Sequence, residues 1–522
     1  MKQFNYVEAK KPNRSIFDLS HTRVTTMNPA YLVPVGCFEA LPGSTFDCKD
    51  FESYIKTMPL ISPVMHRVNL YVHAFFVPHR LVLGTDVWED FITGKNPDYQ
   101  LPSWDPTFFS DTGYTDLLGV NGLAHHLRYG KYDTSVGETW NGMPLSQMAL
   151  RGYHRIWSDW YRNQNYQDEV DFSTLPQHLD VGEASSFDDY RWLFDLRKRC
   201  FEKDYFTSCL LTQQRGAAVI MPLGGSAPVS GDHLDFRIGD TGIPAVGPPE
   251  FTVSSGRLKD SDGIPLKLIE GGLTADLSSA SAASISDLRQ AYALQRWFEA
   301  SLRFGQRYVE QLLGLFGVKS KDSRLQRSEF LAGGRLPVQI GEVLQTSETS
   351  AESPQGNMSG RGVGSGSMFS FKRTFTEHGY IMFIASCVPR TSYLHECARD
   401  NIKLNRFDFA FPQFAHLSEQ PVYNQQLYQG NETALVNPFG YQPIYTEYRC
   451  VNDSVHGEMA GSLAFWTLAR GFSNLPTLSE EFVIASFPQE IFAATNDDQP
   501  LLLQTACQLF AIHPLPKMGT PV

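Results

Sequence analysis

The chain has 522 residues, 42% of them hydrophobic and 19% charged, enough apolar material for a large folded core and unlike a disordered chain. Its 44 Lys and Arg stand against 56 Asp and Glu, a net charge of −12, which argues against a freestanding nucleic-acid binder. Eight scattered cysteines with no C-x-x-C pair exclude a zinc ribbon or redox motif and read as free thiols in a reducing compartment.

The N-terminal stretch MKQFNYVEAKKPNRS lacks the apolar run of a secretory signal, and no segment of about 18 apolar residues predicts membrane insertion. Its Lys10, Lys11 and Arg14 read either as nucleic-acid contacts on a flexible arm or as ordinary exposed charge. Residues 32–38 and 44–51 read as strands around the turn Leu41-Pro42-Gly43. In 63–82, Val68, Leu70, Val72, Ala74 and Phe76 share one face, and Arg67, Asn69, Tyr71, His73 and Phe75 the other, with Pro63 and Pro78 as brackets.

Residues 83–223 read as inserted loops with one helix, on which Tyr153, Ile156, Trp157, Trp160 and Tyr161 form a stripe at i, i+3, i+4, i+7, i+8. Such a stripe is a packed core face more often than a base-stacking platform. Arg197, Lys198, Arg199 and Lys203 follow, read equally as phosphate contacts or solvated charge. Residues 224–283 hold 10 Gly and 5 Pro but no Trp, Tyr or Cys, which predicts an exposed insertion. Within it Phe236, Ile238, Phe251 and Val253 alternate as in short strands. Residues 284–367 read as an inserted helix, broken or bent at Gly305, followed by a Gly/Ser loop at 354–367. Strands return at 368–375, 379–389, 461–469, 482–487 and 501–514. Strands from about 24–82 and 368–514 then form one mainly β domain, an eight-stranded antiparallel jelly-roll β-sandwich with long, partly helical insertions.

The catalytic motifs G-x-S-x-G, H-E-x-x-H and G-x-x-x-x-G-K-[ST] are absent. Gly360-Arg361-Gly362-Val363-Gly364 leads into a strand rather than a helix, so it reads as a linker and not a phosphate loop. His66 and His73 are an odd number of positions apart, so a strand turns them to opposite faces. His125-His126 lacks an acidic partner at ligand spacing, and Glu480-Glu481 and Asp497-Asp498 read as solvated surface. No catalytic residue, cofactor or metal site is expected. A glycan-active enzyme or a secreted carbohydrate-binding module on a β-sandwich is the alternative class; 56 acidic residues conceal a carboxylate pair easily.

A resemblance runs nearly the whole length. It rests on FDLSHTR (17–23), PVMHRVNLYVHAFFVPHRLV (63–82), WEDFITG (88–94), YHRIWSDWYRNQN (153–165) and DYFTSCLLTQQRG (204–216). It continues through ISDLRQAYALQRWFEA (285–300), DSRLQRSEFLAGG (322–334), QTS (345–347) and PLPKMGTPV (514–522). In their order these resemble the major capsid proteins of the Microviridae, nearest the gokushovirus-like branch. The resemblance implies pentamers built into the smallest, T=1, icosahedral shell around circular single-stranded DNA. It further implies a small basic internal protein, a host cell-surface receptor, and a threefold protrusion where 224–283 falls. The location implied is the virion capsid, assembled in the bacterial host cytoplasm.

Overall fold

Alternating apolar residues produce eight long strands: β1 His21–Met27, β2 Val33–Ala40, β3 Thr45–Thr57, β4 Val68–Pro78, β5 Glu329–Leu344, β6 Met358–Thr374, β7 Gly379–Pro389 and β8 Leu501–His513. The computed structural model describes residues 13–96, 98–106, 119–130, 142–179, 190–216, 219, 285–305, 307–319, 321–344, 358–417, 419–493 and 499–518, with short strands inside 229–275. One layer runs β1-β8-β3-β6 and the other β2-β7-β4-β5, every pair antiparallel. Residues 339–344 of β5 pair with 358–363 of β6, so the two layers join as one curled sheet. Neighbours distant in sequence, four to a layer, make this a jelly roll. The short strand Ser15–Asp18 extends the edge on β8.

Period-two patterning fills the space between the layers. On β8, Leu501, Leu503, Cys507, Leu509 and Ala511 point inward, and on β4 Val68, Leu70, Val72, Ala74 and Phe76 do. Phe51 of β3 stacks on Phe369 of β6 at 4.9 Å and meets Phe383 of β7 edge-on at 5.2 Å, tying one layer to the other. Within the β2-β7-β4-β5 layer, the central strands β7 and β4 are buried on both faces, whereas β5 is exposed on one. Phe75 and Val77 of β4 and Met382 and Ile384 of β7 form a second core with the helical insertion. A third core joins Tyr205, Phe206 and Cys209 to Tyr393, Val422 and Phe482 of the insertion between β7 and β8.

Residues 214–303 form a compact unit of their own, distinct from 1–213 with 304–522. It contains short antiparallel pairs: Phe236–Ile238 between Ile243–Pro244 and Leu266–Leu268, Thr252–Ser254 with Arg257–Lys259, and Val229–Ser230 with Thr274–Ala275. The helical stretch read at 284–316 is two helices, Ile285–Phe304, which falls in this unit up to Arg303, and Tyr308–Phe316, with Gly305 between them at φ +101°.

Three expectations are corrected. The Gly/Ser loop at 354–367 is from Met358 onward the first half of β6. Its glycines serve close approach: a Cβ on Gly360 would lie 2.6 Å from the Ser62 carbonyl oxygen, and one on Gly362 2.6 Å from the Thr57 methyl. Residues 329–344, read as part of the inserted helix and loop, are β5, whose Gly333, Gly334, Pro337 and Gly341 interrupt the apolar alternation. Residues 461–469 and 482–487 are not strands. The first contains the 3₁₀ turn Ala464–Trp466, and the second begins in the helical turn Glu480–Val483. Their apolar side chains find cores without a ladder, Leu468 in the sandwich and Phe482 and Val483 in the third cluster.

Candidate functional site

Helix α1, Met148–Ile156, anchors the first insertion to the sheet. It lies close because Gly152 faces Met382, whose Cε would be 3.0 Å from an added Cβ. Beyond Ile156 the chain widens into a π turn, Trp157–Tyr161, closed by the Arg162 amide donating to the Trp157 carbonyl at 2.9 Å. Tyr153, Ile156 and Trp157 are buried, whereas Trp160 and Tyr161 are partly buried against the same core. The Tyr153 hydroxyl donates to the Leu32 carbonyl at 2.8 Å and accepts from the Arg197 amide at 2.9 Å. The Trp160 indole N–H donates to the carbonyl and hydroxyl oxygens of Ser328, and Asp159 accepts from the Ser328 amide and hydroxyl at 2.8 Å. The stripe thus fastens the insertion to β2 and to the entry of β5.

The basic run beside it divides in two. Arg197 lies 4.6 Å over the Trp157 ring, and Arg199 lies 4.1 Å over Tyr71 while donating to the Ser386 hydroxyl at 3.0 Å. Lys198 and Lys203 are exposed. A cavity of about 380 Å³ opens here between Trp160, Tyr161, Phe330, Arg199, Arg307 and Gln164, whose Oε1 is buried without a partner. His73 at its wall shares a 2.7 Å hydrogen bond with the Tyr161 hydroxyl, and burial, reinforced by Arg199, pushes it down to about 4. Burial pushes the Cys200 thiol up to about 11. At neutral pH the wall therefore offers a neutral imidazole and a protonated thiol, so Cys200 is not a thiolate nucleophile.

Arg14 is exposed, and Lys10 and Lys11 lie outside the described residues. Phe236, Ile238 and Val253 fall in the short strands of the 214–303 unit, and Phe251 lies outside the described residues. His126 is buried and pushed down to about 4, chiefly by burial. Glu480 opens a helical turn and accepts from Gln167 at 2.9 Å, and Asp497-Asp498 lies outside the described residues. Among the described residues no three His, Cys, Asp or Glu side chains form a metal-binding group, and no helix is long and apolar enough to cross a membrane. Residues 404–417 match no element expected from the sequence, yet Phe407, Phe409, Phe411 and Phe414 stand exposed there; four phenylalanines in eight residues are the signal that the sequence carries.

A family model described as Capsid protein (F protein) matches residues 5–522. Capsid protein VP1 of Chlamydia phage 1 is 31% identical, covering 99% of this chain and 97% of that protein. Capsid protein VP1 of Bdellovibrio phage phiMH2K is 33% identical, covering 96% and 93%. Capsid protein VP1 of Spiroplasma virus 4 is 30% identical, covering 97% and 95%. A jelly roll that matches such proteins along its whole length is a structural protein of a viral shell, not an enzyme. The chain belongs to the phage F capsid protein family and is a Microviridae major capsid protein located in the virion capsid.

Proposed function

We propose that copies of this chain assemble as pentamers and then as a T=1 icosahedral shell of sixty subunits around a circular single-stranded DNA genome, with 224–283 serving host attachment. The observation that carries the reading is the jelly-roll strand order in a chain that belongs to a capsid family from residue 5 to 522. A two-layered sandwich braced by a second core is a stiff block, and its insertions are free to differ between hosts. Closed shells need heterologous contacts whose rotations close.

A charge of −12 per subunit repels a polyanion, so packaging calls for a small basic internal protein. Direct DNA contact falls to a few cations, Lys10, Lys11 and the exposed Arg14. Eight free cysteines suit assembly in the reducing host cytoplasm. The Gly- and Pro-rich stretch within the 214–303 unit is the segment offered to a host cell-surface receptor. Nuclease protection tests the cargo. Purified particles should shield a circular nucleic acid that a single-strand-specific nuclease digests once the shell is opened; a protected duplex would contradict the reading.

A further inference from the structure

The insertion between β7 and β8 carries a surface with no counterpart in the cores. Leu404, Phe407, Phe409, Phe411, Phe414 and Leu417 are exposed to degrees running from 36% for Phe414 to 88% for Leu404, and none belongs to a core cluster. An untethered chain of this composition would fold its rings inward. Here the backbone is held so that they remain outside. The Asp408 carboxylate accepts from the amides of Leu404 at 2.9 Å and Asn405 at 2.6 Å, and the Phe411 amide donates to the Tyr445 hydroxyl at 3.2 Å. Lys403 pins the start of the run to Asp400 at 2.6 Å and to the Tyr448 hydroxyl at 3.0 Å. Phe414 lies 6.1 Å from both Phe407 and Phe411, so these three rings adjoin, and Phe409 is exposed in the chain between them.

We infer that this phenylalanine patch is a subunit-to-subunit contact, and that its occupant is a second copy of this chain. The inference rests on the shell-forming reading above and assigns residues to it. Three observations select the occupant. The family is one of capsid proteins, whose members meet copies of themselves. Weighted by their exposures, the six side chains present roughly 500–800 Å² of surface at ~150–250 Å² per large side chain, comparable with the ~800 Å² that one partner brings to a stable interface. The charges in 400–417 balance, Asp400 and Asp408 against Lys403 and Arg406. Two copies therefore approach through a neutral patch although each chain carries −12 overall. Soluble monomers seldom expose so large an apolar area. Preordering of the segment also lowers the entropy lost on contact.

The test uses the full chain in two arms. The double variant Phe407→Ser with Phe409→Ser should keep the near-ultraviolet circular dichroism and melting point of the parent. In sedimentation velocity it should remain a monomer at concentrations a hundredfold above those at which the parent assembles. In the second arm a photoreactive phenylalanine analogue at position 409 should cross-link one chain to another. Assembly of the double variant at the parent's concentration overturns the inference and leaves the shell reading intact. Cross-links only to DNA or to a different protein overturn it even if the double variant misfolds. A parent chain that never assembles removes the shell reading and this inference together.

Discussion

Trp157 and Trp160 share a stripe but are held in different ways. Trp157 is 5% exposed inside the second core, with the Arg197 guanidinium over its face. Trp157→Ala should cost about 3–5 kcal/mol, read as a lowered urea midpoint. Trp160 is tied by its N–H to Ser328 and capped by Arg327 at 3.8 Å, so Trp160→Ala should also free the entry of β5. Unchanged stability of Trp160→Ala with lost DNA packaging would instead favour a base-stacking role. Buried histidines contribute to the response to acid. His73, His79 and His126 are each pushed down to about 4, chiefly by burial, against 6.5 in the unfolded chain. Above pH 6.5 both states are neutral and this contribution is complete. As the pH falls from 6.5 towards 4 the unfolded chain takes up protons that the folded chain refuses, so stability is lost across that window. The melting point should be flat from pH 7 to 8 and fall below 6.5, and His126→Gln should make the fall shallower; an equal slope in that variant would remove His126 as a contributor.

At the scale of elements, what the sequence revealed depended on whether a strand's patterning was its own. β4, β7 and β8 show apolar alternation or unbroken apolar runs between turn signals, and the structure places them at Val68–Pro78, Gly379–Pro389 and Leu501–His513. β5 and the first half of β6 were hidden because their glycines answer to neighbours distant in sequence. Nothing near Gly360 announces that the Ser62 carbonyl will press against it. Gly360→Ala should therefore destabilise by about 1–3 kcal/mol, as overpacking does, and a thermal melt indistinguishable from the parent's would contradict the close approach. The spacing of the stripe was readable, but the π turn that follows α1 was not, because it is set by backbone bonding such as that from Arg162 to Trp157, which side-chain spacing does not report. The phenylalanine run at 404–417 carried a composition signal without a periodicity, which is why an element-based reading missed it. The unit 214–303 offers an element-scale test. Replacing 226–280 with a short linker should leave the jelly roll folded and shells forming, while adsorption to host cells falls. Failure to fold would make the segment part of the core, and normal infection would remove the attachment role.

For the whole molecule, the acidic balance and the closed sandwich point the same way. A chain at −12 builds a container better than it binds a polyanion. Isolated subunits should bind single-stranded DNA weakly, without sequence preference and with a shallow salt dependence, in fluorescence anisotropy; tight binding of one sequence at physiological salt would contradict this. The sandwich brings β1 and β3 from the first 57 residues against β8 from the last 22, so its integrity requires both ends of the chain. Electron cryomicroscopy of particles assembled from the purified chain tests the shell reading most directly. Closed icosahedral shells of sixty copies, each a jelly roll with 404–417 at a subunit boundary, are expected; open filaments, or monomers under all assembly conditions, would contradict it.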